Sequence, residues 1–233
     1  MSATEDPLTA VHKGLRSMLY SLSGRVQTND FGDVATTSKI VHDMEADFET
    51  AQSTGCALCI AAHHAEDEDR FVFPEAARHA NALVTSLIAE HQELTRRERA
   101  VAQRARNIVQ LSSPQQRVVA GAALNLDLNE LVGAYLAHMN REERELVPLM
   151  QERFSDEELR GMRGRIIANM APPRLFAILN WMLPAMNVTE LSDLLRGVRP
   201  TARPALYQQF MELCAARVEP ARWAEVQHRV GAG

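Results

Sequence analysis

Apolar residues recur at helical spacing along nearly the whole chain, and this periodicity restricts the fold more than any other feature of the sequence. The first predicted helix runs from about Pro7 to Gly24. Its apolar face carries Leu8, Leu15, Leu19 and Leu22. A strand-rich fold would favour aromatic and β-branched residues, yet aromatic residues make up only 5% of the 233. The sequence therefore predicts an all-α protein.

Three further long helices are predicted before residue 155, at about residues 35–73, 81–110 and 114–153. Ser113 and Pro114 give the last of these an N-cap and a proline in its first turn. Ser155 forms a capping box with Glu158 and opens a shorter helix. Further short pieces are expected near residues 174–186, 190–196, 205–217 and 221–229. We therefore predict a bundle of four long helices over residues 1–154 and a helical C-terminal extension over residues 155–233.

Charge and composition argue against several classes of protein. The net charge is −5, which provides no basic surface for nucleic acid. No stretch of about 18 apolar residues is present to span a membrane. The first residues lack the basic and apolar stretches of a signal peptide. Three cysteines are too few for a disulfide framework. We expect a soluble, cytoplasmic protein.

Two segments of the chain share one pattern: a histidine, a glutamate four residues later, an acidic residue directly after it, and a proline ten residues after the histidine. The first segment is His64–Pro74 with Glu68, and the second is His138–Pro148 with Glu142. They fall on the second and fourth predicted long helices. The other two long helices also resemble each other around His12 and His91. The first 153 residues are thus predicted to be a helical hairpin used twice.

The spacing within this repeat predicts a metal site. A histidine and a glutamate four residues apart lie one turn apart on the same helix face, where both can reach one ion. The candidate ligands are His12, His64, Glu68, His91, His138 and Glu142. All four histidines lie on apolar faces, where unpaired polar groups would be costly. Imidazole and carboxylate suit iron, manganese or zinc. Two carboxylates from opposite helices can bridge two metals and leave positions open for oxo, hydroxo, O₂, peroxide or NO.

These motifs resemble the haemerythrin-like (HHE cation-binding) family over roughly residues 8–153. The resemblance lies in His12, His91, the His64/Glu68 pair with Phe73-Pro74, and the His138/Glu142 pair with Val147-Pro148. It implies an up-down-up-down four-helix bundle that holds two iron ions bridged by the two glutamates. Members of the family bind O₂, sense oxygen, iron or redox state, or handle peroxide and nitric oxide. The region after residue 170 is similar to a helical tail of some bacterial members.

The sequence departs from the oxygen-carrying haemerythrins at two positions. Those proteins have a second histidine one turn after the ligand of the third helix, where this chain has Thr95. Simple reversible O₂ carriage is therefore not expected. In the carriers the carboxylate of the fourth helix lies five residues after the histidine, which corresponds to Glu143. The internal repeat favours Glu142 as the ligand, and Glu143 remains the alternative.

Several residues near the predicted ligands are candidates for supporting roles. Tyr135, one turn before His138, is expected either to donate a hydrogen bond to an oxygen ligand of the metals or to be an ordinary core residue. Arg16 and Thr95 lie one turn after His12 and His91. They are expected to orient a ligand or gate the pocket, or, for the arginine, to extend its charge to solvent.

Three other features are assigned to structure. His63 is rotated by about 100° from His64 and is interpreted as a surface or supporting residue. Cys56 and Cys59 form a C-x-x-C motif that most simply packs, with an auxiliary metal or thiol switch as the alternative. The charged run Arg96–Arg99 is interpreted as a solvated helix face.

Three functions are compatible with this site. The first is a peroxide- or NO-consuming diiron oxidoreductase. The second is a sensory module in which O₂, NO or iron loading acts on a protein partner through the C-terminal helices. The third is a redox-inert structural metal site. In each case we expect a small-molecule or ion ligand and no nucleic acid or membrane partner.

Overall fold

The computed structural model describes residues 5–48, 57–200 and 202–231, and the regular structure in these ranges is entirely helical. The helices are α1 (Thr9–Gln27), α2 (Val34–Phe48), α3 (Ala57–Phe71), α4 (Phe73–Val109), α5 (Pro114–Arg141), a π-helical turn (Glu142–Leu146), α6 (Val147–Arg153), α7 (Asp156–Ala168), α8 (Pro172–Ala185), α9 (Val188–Val198), α10 (Pro204–Arg217) and α11 (Pro220–Gly231). The predicted all-α class is confirmed. Within these ranges, no helix combines the length and apolar content needed to cross a membrane.

Four of these helices form a closed bundle. Helix α1 packs against α3 and α5, and α4 packs against the same two helices from the other side. Hydrogen bonds from Arg16 to Asn140 and from Ser23 to Asn129 show that α1 and α5 run in opposite directions. The fully buried side chains of the main core include Met18, Leu19, Leu22, Leu124 and Leu128. Burial of this apolar face stabilises the bundle.

The helix boundaries differ from the prediction around the first repeat segment. Within the predicted helix over residues 35–73 the structure describes α2 and α3, and residues 49–56 lie outside the described part. Helix α4 begins at Phe73 instead of residue 81, because Pro74 occupies its first turn, where a missing N–H costs no hydrogen bond. A break follows at Ala80, with φ −146° and ψ 60°. The predicted start of this helix, at about residue 81, therefore lies directly after the break.

The second repeat segment accommodates its proline, Pro148, with a different backbone conformation. After Glu142 the backbone widens into a π-helical turn, in which the N–H of Val147 donates to the carbonyl of Glu142. Pro148 then lies in the first turn of α6, which ends where Phe154 adopts an extended conformation. Single π turns inside helices occur frequently at functional sites. Here the turn places one of the predicted ligands, Glu142, at its first position.

The residues after 155 contact the bundle and also have a core of their own. The capping box predicted at Ser155 is present, since its hydroxyl accepts from the N–H of Glu158 and the glutamate accepts from Ser155. Leu159 of α7 joins a buried cluster with residues of the bundle, and Ile178 of α8 joins the main core. Helices α8–α11 surround a further apolar cluster that includes Leu183, Leu191, Leu195, Cys214 and Val226.

Helix α8 lies directly against α1. The two helices lie close together at Gly14, where a Cβ atom would lie 2.8 Å from Cγ and 3.0 Å from the backbone N of Met182. Lys13 of α1 also forms an ion pair with Glu190 of α9. On the other side, Arg174 of α8 donates to the carboxylate of Asp67 and, over 2.9 Å, to the carbonyl of His63. The C-terminal helices therefore contact both α1 and α3.

Candidate metal centre

The bundle brings the six predicted ligands together at its centre. Their donor atoms form two groups, and within each group the atoms lie within 4.8 Å of one another. The first group is His12, His64, Glu68 and Glu142. The second group is Glu68, His91, His138 and Glu142. All six side chains are buried except for that of His64, which is 12% exposed. Both glutamates belong to both groups.

Each glutamate directs one carboxylate oxygen toward a histidine of the first group and the other oxygen toward a histidine of the second group. Oε1 of Glu68 lies 3.0 Å from Nε2 of His64, and its Oε2 lies 3.4 Å from Nε2 of His91. Glu142 repeats the arrangement, with Oε2 3.4 Å from Nε2 of His12 and Oε1 3.3 Å from Nε2 of His138. The two carboxylates therefore span the space between the two pairs of histidines.

Most donor atoms of the centre are buried without a hydrogen-bond partner, although Nε2 of His12 and Nε2 of His64 lie 3.0 Å apart. Both carboxylate oxygens of Glu68, both of Glu142 and Nε2 of His138 lack a hydrogen-bond partner among the described residues. The nearby nitrogen and oxygen atoms are close but misaligned for hydrogen bonds. Buried charged groups of this kind are costly unless they are paired or coordinate a metal. The donor set of imidazole and carboxylate fits a first-row transition metal.

Three of the four histidines are held from behind by a carboxylate. In each case Nδ1–H donates to an oxygen of a neighbouring helix or turn. The pairs are His12 with Glu143 at 2.9 Å, His91 with Asp69 at 2.9 Å, and His138 with Glu90 at 2.7 Å. In the neutral imidazole this bond favours the tautomer with the proton on Nδ1, in which Nε2 directs its lone pair toward the centre.

The carboxylates behind the histidines explain the acidic residue shared by the two repeat segments. Asp69 directly follows Glu68, and Glu143 directly follows Glu142. Each supports a histidine of the other hairpin. Glu143 is thus placed behind His12, and Glu142 is the residue whose oxygens lie in the central groups.

The charges at the centre shift the pKa values of its members. Burial alone would lower the pKa of His12, but the hydrogen bond to Glu143 and the nearby carboxylates of Glu68 and Glu142 raise it to about 9. Burial likewise opposes the charge of His91, while Asp69 and Glu68 raise its pKa to about 10. Burial would raise the pKa of Glu68, yet the surrounding histidines hold it well below its usual value. Metal binding would therefore displace protons from the imidazoles.

Tyr135 differs from the expectation that it could donate into the site. Its hydroxyl donates to Oε1 of Glu98 on α4, and both side chains are buried. Side chains of a helix point toward its N-terminus, so Tyr135 extends away from the level of His138. Burial raises the pKa of Glu98 to about 7, although the hydrogen bond from Tyr135 opposes the shift.

Glu98 also corrects the interpretation of the charged run Arg96–Arg99 as a solvated face. Its side chain is only 6% exposed, whereas Arg96 and Arg99 are exposed. The apolar stripe through His91 and Leu94 continues onto position 98, and this spacing was the signal that could have indicated burial.

The remaining candidates have other partners. The carboxylate of Glu143, which supports His12, also accepts from Arg16 at 2.8 Å. Thr95 donates its hydroxyl to the backbone carbonyl of His91 over 2.9 Å. Nδ1 of His63 pairs with Glu66 at 2.8 Å. Cys56 and the side chain of Cys59 lie outside the described residues, so their predicted packing is untested.

Glu90 and Phe73 support histidines of the centre through contacts that the sequence did not indicate. Glu90, which supports His138, precedes His91 and points toward α5, a contact that depends on helix packing. The ring of Phe73 stacks on the imidazole of His91, with centroids 5.2 Å apart and an interplanar angle of 13°. Phe73, named above only as part of the first repeat motif, thus lies directly on a candidate ligand.

Comparison with known protein families matches residues 4–150 to the family described as "Hemerythrin HHE cation binding domain". The match covers more than half of the chain and includes the six residues of the centre. No curated protein and no solved structure matches the chain.

Proposed function

Since the chain belongs to the hemerythrin HHE cation-binding domain family, we propose that it is a non-haem diiron protein that binds or reacts with a small oxidant: O₂, hydrogen peroxide or nitric oxide. The residues proposed to hold the metals are His12, His64, Glu68, His91, His138 and Glu142. The two glutamates would bridge the ions.

The observation that carries this proposal is the arrangement of the two carboxylates. Glu68 and Glu142 each direct one oxygen to the His12/His64 pair and the other to the His91/His138 pair. Two imidazoles and two carboxylate oxygens are thus available to each of two ions. In a site for a single ion, the two oxygens of each carboxylate would not need to face different pairs of histidines.

The protein's own residues prepare this centre for a small ligand. Four protein donors per ion leave part of an octahedral shell free. Bound iron would supply the redox chemistry, exchanging electrons with the oxidant. The carboxylates behind His12, His91 and His138 hold these rings in place. The buried ring of Phe73 covers one face of the His91 imidazole and keeps bulk water from it.

The first experiment is a metal count with an absorption spectrum of the purified protein. We expect about two irons per chain and the visible absorption of a bridged ferric pair. Zinc, or one iron, would favour the redox-inert alternative and contradict the proposal.

The ligand assignment is tested by single substitutions. His12→Ala, His64→Ala, His91→Ala and His138→Ala should each lower iron occupancy. His42→Ala and His228→Ala are the controls, because both side chains are exposed and distant in sequence from the repeat positions. Equal losses in all six variants would refute the assignment.

Catalytic turnover separates an enzyme from a binding protein. An enzyme should consume peroxide or NO catalytically, and Glu68→Gln should abolish consumption. A binding protein should give a stoichiometric spectral change without turnover. If the iron-loaded protein shows neither turnover nor a spectral change, both activities are excluded for these oxidants.

A sensory role is the second candidate, and the packing of the C-terminal helices favours it. Helix α8 contacts α1 at Gly14 and α3 through Arg174, so it touches two helices that carry candidate ligands. In a sensor, amide exchange in α8–α11 should change when peroxide or NO is added to the iron-loaded protein. Unchanged exchange in these helices would argue against it.

A further inference from the structure

The histidines of the centre are not supported equally. Nδ1 of His91 donates to Asp69, and Nδ1 of His138 donates to Glu90. Both members of this pair therefore have a carboxylate behind them. In the other pair, His12 donates to Glu143, whereas no carboxylate among the described residues pairs with Nδ1 of His64.

The repeat shows why His64 lacks this support. Glu90, which supports His138, directly precedes His91. The equivalent residue before His12 is Val11, and an apolar side chain cannot accept the hydrogen bond. At this position the second hairpin therefore has a hydrogen-bond acceptor for its histidine, and the first hairpin has none.

A second difference lies beside the first. Arg141, one residue before Glu142, donates to Glu90 and holds it against His138. The equivalent residue before Glu68 is Asp67, which is paired with Arg174 of α8. The supporting chain of charges that reaches His138 therefore has no counterpart at His64. The side chain of His64 is also the most exposed of the four, at 12%, compared with 5% for His138.

A carboxylate behind a ligand histidine strengthens its metal bond. The hydrogen bond from Nδ1–H makes Nε2 more basic and fixes the ring before the metal arrives. Loss of such a partner typically lowers metal affinity by about 10- to 100-fold. An ion held by His91 and His138 gains from two of these partners, and one held by His12 and His64 gains from one.

We infer that the two metal positions are unequal: the position at His91 and His138 fills first, and the position at His12 and His64 binds more weakly and exchanges its ion. This inference rests on the proposed diiron site. Glu90 and Asp69 act in it as positioning residues for the first position.

The order of filling is measured by titrating the metal-depleted full-length chain with Fe²⁺ under anaerobic conditions against a competing chelator. We expect two steps, the first at least about tenfold tighter than the second. His138→Ala should remove the tight step. His64→Ala should remove the weak step and leave one tightly bound ion. Glu90→Gln keeps an oxygen acceptor but loses the charge, and should weaken the first step alone.

The strongest test is a gain of function at position 11. Val11→Glu places at His64 the residue type that supports His138, and it should tighten the second step several-fold without changing the first. Val11→Gln is the matched control, similar in size but uncharged. Two equal steps in the unmodified protein would overturn the inference, as would a Val11→Glu second step no tighter than that of Val11→Gln. Binding of fewer than two ions would instead refute the proposed diiron site.

Discussion

The hydroxyl of Tyr135 donates its hydrogen to the carboxylate of Glu98, and the pair is buried between α4 and α5. Burial raises the pKa of Glu98 from 4.5 to about 7, although the hydrogen bond from Tyr135 and the charge of Arg99 lower it. The bond therefore joins a phenol to a carboxyl group that titrates near neutral pH.

We expect Glu98 to make the stability of the protein decrease with pH. The folded state binds this proton more tightly than the unfolded state does, so the contribution is present below about pH 4.5 and is lost as pH rises through about 7. A shift of this size corresponds to about 3 kcal/mol, to order of magnitude. Glu98→Gln cannot ionise and keeps an oxygen for Tyr135.

Urea unfolding at pH 5 and pH 8 checks this expectation. The variant should gain about 3 kcal/mol over the unmodified protein between these two pH values. Titration of the metal-site histidines is common to both proteins and cancels in the difference. Tyr135→Phe provides a second variant, in which the lost donor should raise the pKa of Glu98 further. Identical pH slopes for Glu98→Gln and the unmodified protein would contradict the prediction.

Glu98 also shows where inference from the sequence reaches its limit. The six residues of the centre were predictable because helical spacing and an internal repeat are both visible in the sequence. The partners Asp69 and Glu90 were not assigned, because each contact depends on how neighbouring helices pack. Glu98 was hidden by the arginines on both sides of it, although its spacing from His91 placed it on the buried face.

The contact of the C-terminal helices with α1 was likewise beyond the sequence. Glycine inside a helix has several possible causes, and only packing shows that Gly14 faces Met182. The short helices after residue 155 were predicted from proline positions and caps, which act locally. Which surface they cover depends on contacts between distant parts of the chain.

Metal removal should destabilise the protein. Without metal, the buried oxygens of Glu68 and Glu142 keep their desolvation cost and have no partner. A bound ion present at 100 times its dissociation constant adds about 2.7 kcal/mol. For a chain of this size, its loss should lower the melting temperature by roughly 5–11 °C. Thermal unfolding with and without a chelator measures the shift.

The matched control for metal removal is Glu68→Gln, which weakens the site before any chelator is added. Its melting temperature should respond little to the chelator. If the unmodified protein also failed to respond, the metal would have no part in holding the bundle together.

Gly14→Ala should separate α8 from α1. The new Cβ atom would lie 3.0 Å from the backbone N and 3.1 Å from Cα of Met182, so the helix itself must move. We expect a loss of about 1–3 kcal/mol, as for other overpacked sites. Gly24→Ala on the same helix has open space around its Cβ and should gain about 0.5–1 kcal/mol. Chemical denaturation compares the two, and a neutral Gly14→Ala would show that this contact is soft.

Arg117 should be irreplaceable by lysine. Its guanidinium is buried and donates to backbone carbonyls of two loops: Phe31 and Gly32 at 3.3 and 2.8 Å, and Leu111 and Ser112 at 3.0 and 3.2 Å. A single ammonium group cannot reach all four. Arg117→Lys should therefore cost about 2–4 kcal/mol in the free energy of unfolding.

Arg104→Lys is the control for Arg117. Arg104 forms an exposed pair with Asp127, and such pairs contribute about 0–1 kcal/mol. Urea unfolding should rank the two variants clearly. Equal effects would mean that the loops are held by contacts other than the guanidinium.

The supporting carboxylates cross between the two hairpins. Asp69 of the first hairpin holds His91 of the second, and Glu143 of the second holds His12 of the first. Of the three supported histidines, only His138 is held from within its own hairpin, by Glu90. Separating the halves would therefore leave His12 and His91 without the carboxylates that orient them. Each half of the repeat thus depends on the other half for the orientation of one of its histidines.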